Sequence, residues 1–223
     1  MELKTIGIIQ SDFKTKFGLP RQSGLAGNNV SYVEILAPYN NIDAFRGITD
    51  YSHLWLLWGF NKNEPVKEFC PTVRPPKLGG NVRVGVFATR SPNRPNPIGL
   101  SCVRVEDLVV TGNKITLKIS GGDMADGTPV YDIKPYLPYA DAVENASGGF
   151  GQNLEKVSLY VDFPQVLLDK IDKDKQQGLI EALSLDPRPG YHNDQREYGF
   201  IFDGKDVRFK VENTTLTVVD VVE

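Results

Sequence analysis

Seven short runs of β-branched and aromatic residues dominate the first two thirds of this chain, each closed off by glycine, proline, asparagine or aspartate. They are Thr5–Gln10, Ser31–Leu36, His53–Phe60, Val82–Ala88, Gly99–Leu108, Lys114–Ser120 and Thr128–Ile133. Such residues suit a pleated, half-buried surface, and the residues between them are those that turn a chain. No long stretch with a 3.6-residue apolar repeat separates consecutive runs, so the helical crossovers of a parallel sheet are disfavoured. The pattern predicts an antiparallel barrel or sandwich. Gly79-Gly80 precedes a strand rather than opening a helix, so a nucleotide-like cofactor would have to bind by a route other than the dinucleotide fold.

The character changes at Gly148-Gly149-Phe150-Gly151-Gln152-Asn153, which reads as a linker. Beyond it lie a strand (Val157–Asp162), a helical pattern carried by Val166, Leu167, Leu168, Ile171, Leu179, Ile180 and Leu183, and a stop at Pro187-Arg188-Pro189-Gly190. Three strands follow, Glu197–Phe202, Asp206–Val211 and Thr214–Val221, the first two joined by Asp203-Gly204, a hairpin signal. The expectation is therefore a mainly β chain with a barrel domain over 1–150 and a small α+β domain over 154–223. Removal of everything after Asn153 should then leave a folded barrel.

Hydrophobic residues make up 40% of the chain and charged ones 24%, ordinary for a globular protein. No apolar run approaches the roughly 18 residues of a membrane span, and the start, MELKTIGIIQ, lacks a secretory pattern. Cys70 and Cys102 fit two free thiols in a reducing compartment better than a disulfide framework. His53 and His192 have no ligand-spaced neighbours, so no metal is expected. These readings together imply a cytoplasmic protein. Net charge is −3, against a general nucleic-acid binder, yet Lys67 to Arg104 holds seven basic residues and one acid, Glu68. That is a local +6 on a body of −9, and either a patch that steers a polyanion or dispersed, locally balanced charges would produce it.

Inside that basic stretch lies Arg90-Ser91-Pro92-Asn93-Arg94-Pro95-Asn96-Pro97. Three prolines fix φ and bias their predecessors toward extended backbone, so the loop is stiff before it meets a ligand. A stiff loop loses little entropy on binding, and its two arginines suit a carboxylate or a phosphate.

This string resembles the signature of the TsaA-like β-barrel family, whose bacterial members include a tRNA methyltransferase dependent on S-adenosylmethionine. Further blocks carry the resemblance in order along the chain. They are Phe17-Gly18-Leu19-Pro20-Arg21-Gln22, Ser52-His53-Leu54-Trp55, Arg74-Pro75-Pro76 with Gly79-Gly80-Asn81, Asp126-Gly127-Thr128-Pro129-Val130, and Asp132-Ile133-Lys134-Pro135-Tyr136-Leu137-Pro138-Tyr139-Ala140-Asp141. Leu185-Asp186-Pro187-Arg188-Pro189 resembles the bacterial C-terminal appendage. Two positions depart from the usual family pattern: Asn93 stands where bacterial relatives have Phe, and Asn61 where the family often has His. Asparagine keeps hydrogen-bonding groups but does not titrate near neutrality, so Asn61 would offer polar contact rather than proton transfer.

The resemblance implies an antiparallel barrel that binds S-adenosylmethionine, works as a homodimer, and methylates threonylcarbamoyladenosine at position 37, in the tRNA anticodon loop. It implies donor contacts at Pro20, Arg21, Gln22, Asn61, Lys62, Arg90, Leu100 and Ala125, Asp126, Gly127 and Thr128. Arg94, Lys134, Tyr136 and Tyr139 would meet RNA, the tyrosines by stacking a splayed-out base or by merely packing beside Pro135 and Pro138. Asp132 is the expected proton acceptor; the alternative for it is an ion pair with Lys134, and for Asp126-Gly127 a plain turn. Trp55 and Trp58 have an odd spacing, so on a strand they face opposite sides and at least one is core. A non-catalytic module that binds S-adenosylmethionine or RNA, and a methyltransferase with another acceptor, are the competing readings.

Overall fold

The computed structural model describes residues 2–63, 68–78, 80–151, 158–188 and 196–223. Its first part is a closed six-stranded antiparallel barrel. Around the wall run β1 (Gly7–Gln10), β2 (Val30–Ile35), β7 (Lys114–Ser120), β6 (Ile98–Thr111), β3 (His53–Gly59) and β8 (Pro129–Pro135), which closes back on β1. Inward positions alternate along each strand. Ile9, Val33, Leu54, Leu56, Val103, Leu117, Ile119 and Val130 are all at most 1% exposed and fill the interior. Each contributes roughly 1.5–3 kcal/mol by leaving water. Trp58 points into this core while Trp55, three residues earlier, lies half-buried on the outer wall, as odd spacing on a strand requires. One bulge, at Leu57/Trp58 against β8, and another at Val105/Asp107 against β7, supply the local bend that closure needs.

Between β3 and β6 the chain makes an excursion whose paired strands, among the described residues, are two residues each, β4 (Thr72–Val73) and β5 (Val84–Gly85). The longer strand expected over Val82–Ala88 therefore shrinks to β5 plus a 3-10 turn at Val86–Ala88. Its partner β4 is flanked by Pro71 and by Arg74-Pro75, and proline cannot extend the ladder. Strand β6, by contrast, runs past the expected Leu108 to Thr111, forming a long hairpin with β7. A short helix α1 (Pro138–Asp141) ends the barrel segment.

The second part is a four-stranded sheet in the order β10 (Tyr198–Phe202), β11 (Lys205–Glu212), β12 (Thr215–Val222) and β9 (Tyr160–Asp162). The first two pairings are antiparallel and β9 lies parallel to β12. The expected helical stretch divides into α2 (Gln165–Leu168) and α3 (Lys173–Ser184), whose Leu179, Ala182 and Leu183 are buried. Asp203 (φ 51°) and Gly204 (φ 75°) make the tight turn read from the Asp-Gly pair. Of the expected linker, Gln152 and Asn153 lie outside the described residues, as do Val157 of the expected strand and Pro189-Gly190 of the helix stop.

The two parts share a core. Phe13, fully buried, packs with Phe200, Phe202, Leu179 and Phe209 of the C-terminal unit, and Phe17 and Leu19 lie against the same cluster. Residues 11–29 thus leave β1, line the C-terminal core and return to β2. Gly178 of α3 sits so close to this segment that a Cβ there would be 2.8 Å from the Asn28 carbonyl. Lys175 of α3 bonds Asp12 Oδ1 (2.9 Å) and Asp203 Oδ1 (2.6 Å), and Glu181 accepts from the Asn28 backbone N–H (2.9 Å) and side chain. Burial by itself lowers the Lys175 pKa, but the two carboxylates outweigh it and hold the ammonium above its usual range.

Candidate active site

The ends of β1, β3 and β7 and the starts of β2, β6 and β8 meet at one rim of the barrel. Four connections crowd that mouth: residues 20–24, Asn61, the Arg90 loop and residues 121–128.

The Arg90 loop is braced from within. Ser91 N–H donates to Thr89 Oγ1 (3.2 Å), Asn93 N–H to Ser91 Oγ (3.2 Å), Arg94 N–H to the Pro92 carbonyl (2.8 Å), and the Arg94 guanidinium to the Thr89 carbonyl (3.3 Å). These bonds and the prolines preset its shape. Arg90 is exposed and donates to Gln22 Oε1 at 2.5 Å, joining two of the expected donor contacts. Ser23 Oγ accepts the Cys102 N–H (3.2 Å) and Gly24 N–H donates to the Gly121 carbonyl (2.8 Å), which lays residues 22–24 along the edge of β6.

On the other side of the mouth, Thr128 Oγ1 donates to the Ala125 carbonyl (2.7 Å) and contacts Asn61 Oδ1 (3.2 Å). Gly127 has φ +76°, and its N–H bonds the Ile9 carbonyl (2.8 Å); a side chain there would be strained, and its Cβ would meet Asn61. Leu100 is 51% exposed on the outer wall, level with Leu57 and Asp132 on the adjoining strands. Lys62 is exposed beside Asn61.

Other expected contacts are engaged elsewhere. The Arg21 guanidinium donates to the carbonyls of Arg188 (2.6 Å) and Asp186 (3.4 Å), so it ties the mouth to the C-terminal unit; Pro20 is buried. Arg188 is itself gripped by Asp186 through two 2.9 Å bonds. Asp126 accepts from the Ser11 N–H (3.0 Å) and pairs with Lys14 (3.0 Å), away from Asn61. Asp132 pairs with Lys134 at 2.8 Å and accepts the Ile133 N–H (2.9 Å).

Lys134 stands near the end of β8, two residues beyond Asp132, with Tyr136 just past the strand and Tyr139 in α1. The Tyr136 ring meets Trp55 (5.7 Å) and His53 (6.2 Å), and Trp55 Nε1 donates to Asp141 (3.0 Å), while Tyr139 is 86% exposed. Among the described residues none of them bonds Arg90, whose partner is Gln22.

One mouth residue escaped the sequence reading. Asp123 is half-buried, and its Oδ1 accepts from Ser101 Oγ at 2.5 Å; Ser101 in turn accepts from Trp58 Nε1 at 2.9 Å. Burial pushes the Asp123 carboxyl above its usual range, partly opposed by Ser101 and by the Arg90 charge. The available signal was a lone acid among small and apolar neighbours, Gly121-Gly122 and Met124-Ala125.

A separate cleft of about 160 Å³ opens between the barrel and α3, lined by Lys14, Asn28, Tyr32, Asp126 and Lys175 among others. Its two lysines are already paired with Asp126, Asp12 and Asp203. The mouth, with a stiff cationic loop, an exposed leucine and converging backbone groups, is the better ligand site.

Fold and mouth together define a closed-barrel protein with an arginine-bearing, partly apolar mouth, strapped to an α+β unit. The profile of the tRNA-methyltransferase O N-terminal domain matches residues 8–142, and that of the TrmO C-terminal domain matches residues 156–223. The chain belongs to this family. It is 40% identical over 226 residues to the tRNA (adenine(37)-N6)-methyltransferase of Escherichia coli, covering 97% of this chain and 96% of that one. A Pseudomonas aeruginosa protein, provisionally named S-adenosylmethionine-dependent methyltransferase RcsF, is 41% identical over 203 residues, covering 87% and 85%. The crystal structure of TrmO from Pseudomonas aeruginosa superposes with a TM-score of 0.79 at 32% identity, covering 100% of this chain and 99% of that one.

Proposed function

We propose that this protein transfers a methyl group from S-adenosylmethionine to the 6-amino nitrogen of the adenosine at position 37 of tRNA, and that this adenosine already carries a threonylcarbamoyl group. The observation that carries the reading is the end-to-end likeness to the Escherichia coli enzyme, together with a mouth whose donor set suits the cofactor. Arg90 offers a guanidinium for the methionine carboxylate, steadied by Gln22. The exposed Leu100 side chain and the backbone of residues 125–128, with Asn61 alongside, offer an apolar face and hydrogen bonds for adenine and ribose. The bound cofactor supplies an electrophilic methyl on a sulfonium; the protein's task is alignment and removal of a proton.

The excursion between β3 and β6 is suited to the polyanion. Arg74, Arg83, Arg90 and Arg94 enter no ion pair among the described residues, whereas Arg104 is neutralised by Glu106 (2.6 Å). Beside them Phe69 and Phe87 are 58% and 73% exposed, with rings stacked at 6.2 Å. Charge with exposed aromatic faces is what an unpaired anticodon loop requires. We take the Tyr136–Tyr139 segment to meet the same RNA, and the working form to be a homodimer. Among the described residues no helix is long and apolar enough to cross a membrane, and a cytoplasmic location is part of the same reading.

Incubation with labelled S-adenosylmethionine and tRNA bearing or lacking the threonylcarbamoyl group tests the proposal. Label in modified tRNA alone is expected. Label in both removes the threonylcarbamoyl requirement, and donor binding without transfer to any RNA makes the protein a binding module.

A further inference from the structure

Methylation of an amine that bears a hydrogen releases a proton, and the site must take it up. Three carboxylates approach the mouth or the wall beside it, and their surroundings separate them. Asp126 is held by Lys14 and the Ser11 N–H, and Asp132 by Lys134 and the Ile133 N–H. In both, an adjacent lysine occupies a carboxylate oxygen. Asp123 enters no ion pair among the described residues. Its Oδ1 is fixed by Ser101, and Ser101 by the buried Trp58 indole, so a short chain of donors reaches from the barrel core to the mouth. The neighbours around it are Ser23, whose backbone N–H faces the carboxylate, and Arg90, the charged group whose field reaches it.

We infer that Asp123 is the proton acceptor of the methyl-transfer step, with Ser101 and Trp58 as positioning residues. The inference rests on the methyltransferase reading. The acceptor nitrogen attacks the methyl carbon and the carbon–sulfur bond breaks, its electron pair passing to sulfur. The N–H pair returns to nitrogen as its proton moves to an Asp123 carboxylate oxygen. Burial that raises the affinity of Asp123 for a proton favours this role, because a base left fully solvated gains less from the transfer.

Asp123→Asn in the full chain should lower the single-turnover rate on tRNA by about 100-fold or more while S-adenosylmethionine affinity, read by calorimetry, changes by less than about threefold. It should also abolish the acid limb of the pH–rate profile, along which the rate of the unmodified protein rises as Asp123 ionises. Ser101→Ala removes a hydrogen bond that favours the carboxylate, so its acid limb should move to higher pH with a smaller loss of rate. A full rate or an intact acid limb in Asp123→Asn overturns the inference, as does loss of donor binding, which would make Asp123 an anchor for the cofactor. Loss of rate in Asp132→Asn with Asp123→Asn unimpaired assigns the proton to Asp132. No transfer by the unmodified protein overturns the methyltransferase reading itself, a result distinct from all of these.

Discussion

Truncating Phe13 to alanine should destabilise the C-terminal unit from within the N-terminal segment. The ring is fully buried, 5.0 Å edge-on to Phe202 and 6.0 Å stacked on Phe200, both on β10. Loss of a buried phenylalanine typically costs about 3–5 kcal/mol, in which transfer and cavity dominate and aromatic pairs add about 0.5–1.5 kcal/mol each. Against a total stability of about 5–15 kcal/mol, that is a large fraction. Urea unfolding followed by two probes separates the halves. Trp55 and Trp58 fluorescence reports the barrel, and far-UV circular dichroism reports α3, the longest helix among those described. Because residues 11–29 serve both halves, Phe13→Ala should shift the dichroism midpoint strongly and carry fluorescence with it. A chain ended after Asn153 exposes Phe13, Phe17 and Leu19 at once and should be insoluble or loosely folded. A change below about 1 kcal/mol in Phe13→Ala, or a soluble cooperative barrel from the truncated chain, would refute the shared core.

Arg90→Ala should reduce methyl transfer by about 100-fold while shifting the unfolding temperature by only a few degrees, because an exposed loop arginine stabilises the fold weakly; thermal denaturation beside an activity assay checks both. Glu181 has its carboxyl held below the ordinary 4.5, burial being outweighed by the Asn28 backbone and side-chain hydrogen bonds. A depressed carboxylate contributes stability that is present above its unfolded pKa and lost as pH falls through the folded one, so Glu181→Gln should be destabilised by about 1 kcal/mol at neutral pH and progressively less in acid. Equal loss at all pH values in urea titrations would contradict this. Phe87→Ala should weaken tRNA binding by about 10-fold without altering donor affinity, as filter binding and calorimetry would show. If Phe87→Ala instead changes the oligomeric state, the exposed aromatic pair is a subunit contact.

The barrel was legible because its determinants are local: alternation at β2, β3 and β7 and the turn residues between them state both strand and face. Asp203-Gly204 announced its hairpin for the same reason. Val82–Ala88 misled because strand propensity says nothing about whether a partner exists, and the proline-flanked β4 gives it only two paired residues. The core role of Phe13, Phe17 and Leu19 is not legible in the sequence, since their partners Phe200, Phe202 and Phe209 lie far along the chain. The site divides likewise. Arg90 meets Gln22 and Asn61 meets Thr128, on the two sides of the mouth. Arg21 turns instead to carbonyls of the C-terminal unit, which no spacing reveals, and the distinction of Asp123 from Asp126 and Asp132 depends on which of them a lysine happens to reach.

The most direct test of the barrel mouth as the methyl-donor site is a crystal structure with S-adenosylhomocysteine, the product left after transfer. Density spanning Arg90, Gln22, Leu100 and the backbone of residues 125–128, with its sulfur turned toward Asp123, is the predicted result. Density in the Lys14–Asn28–Lys175 cleft, with the Arg90 loop bare, would contradict it.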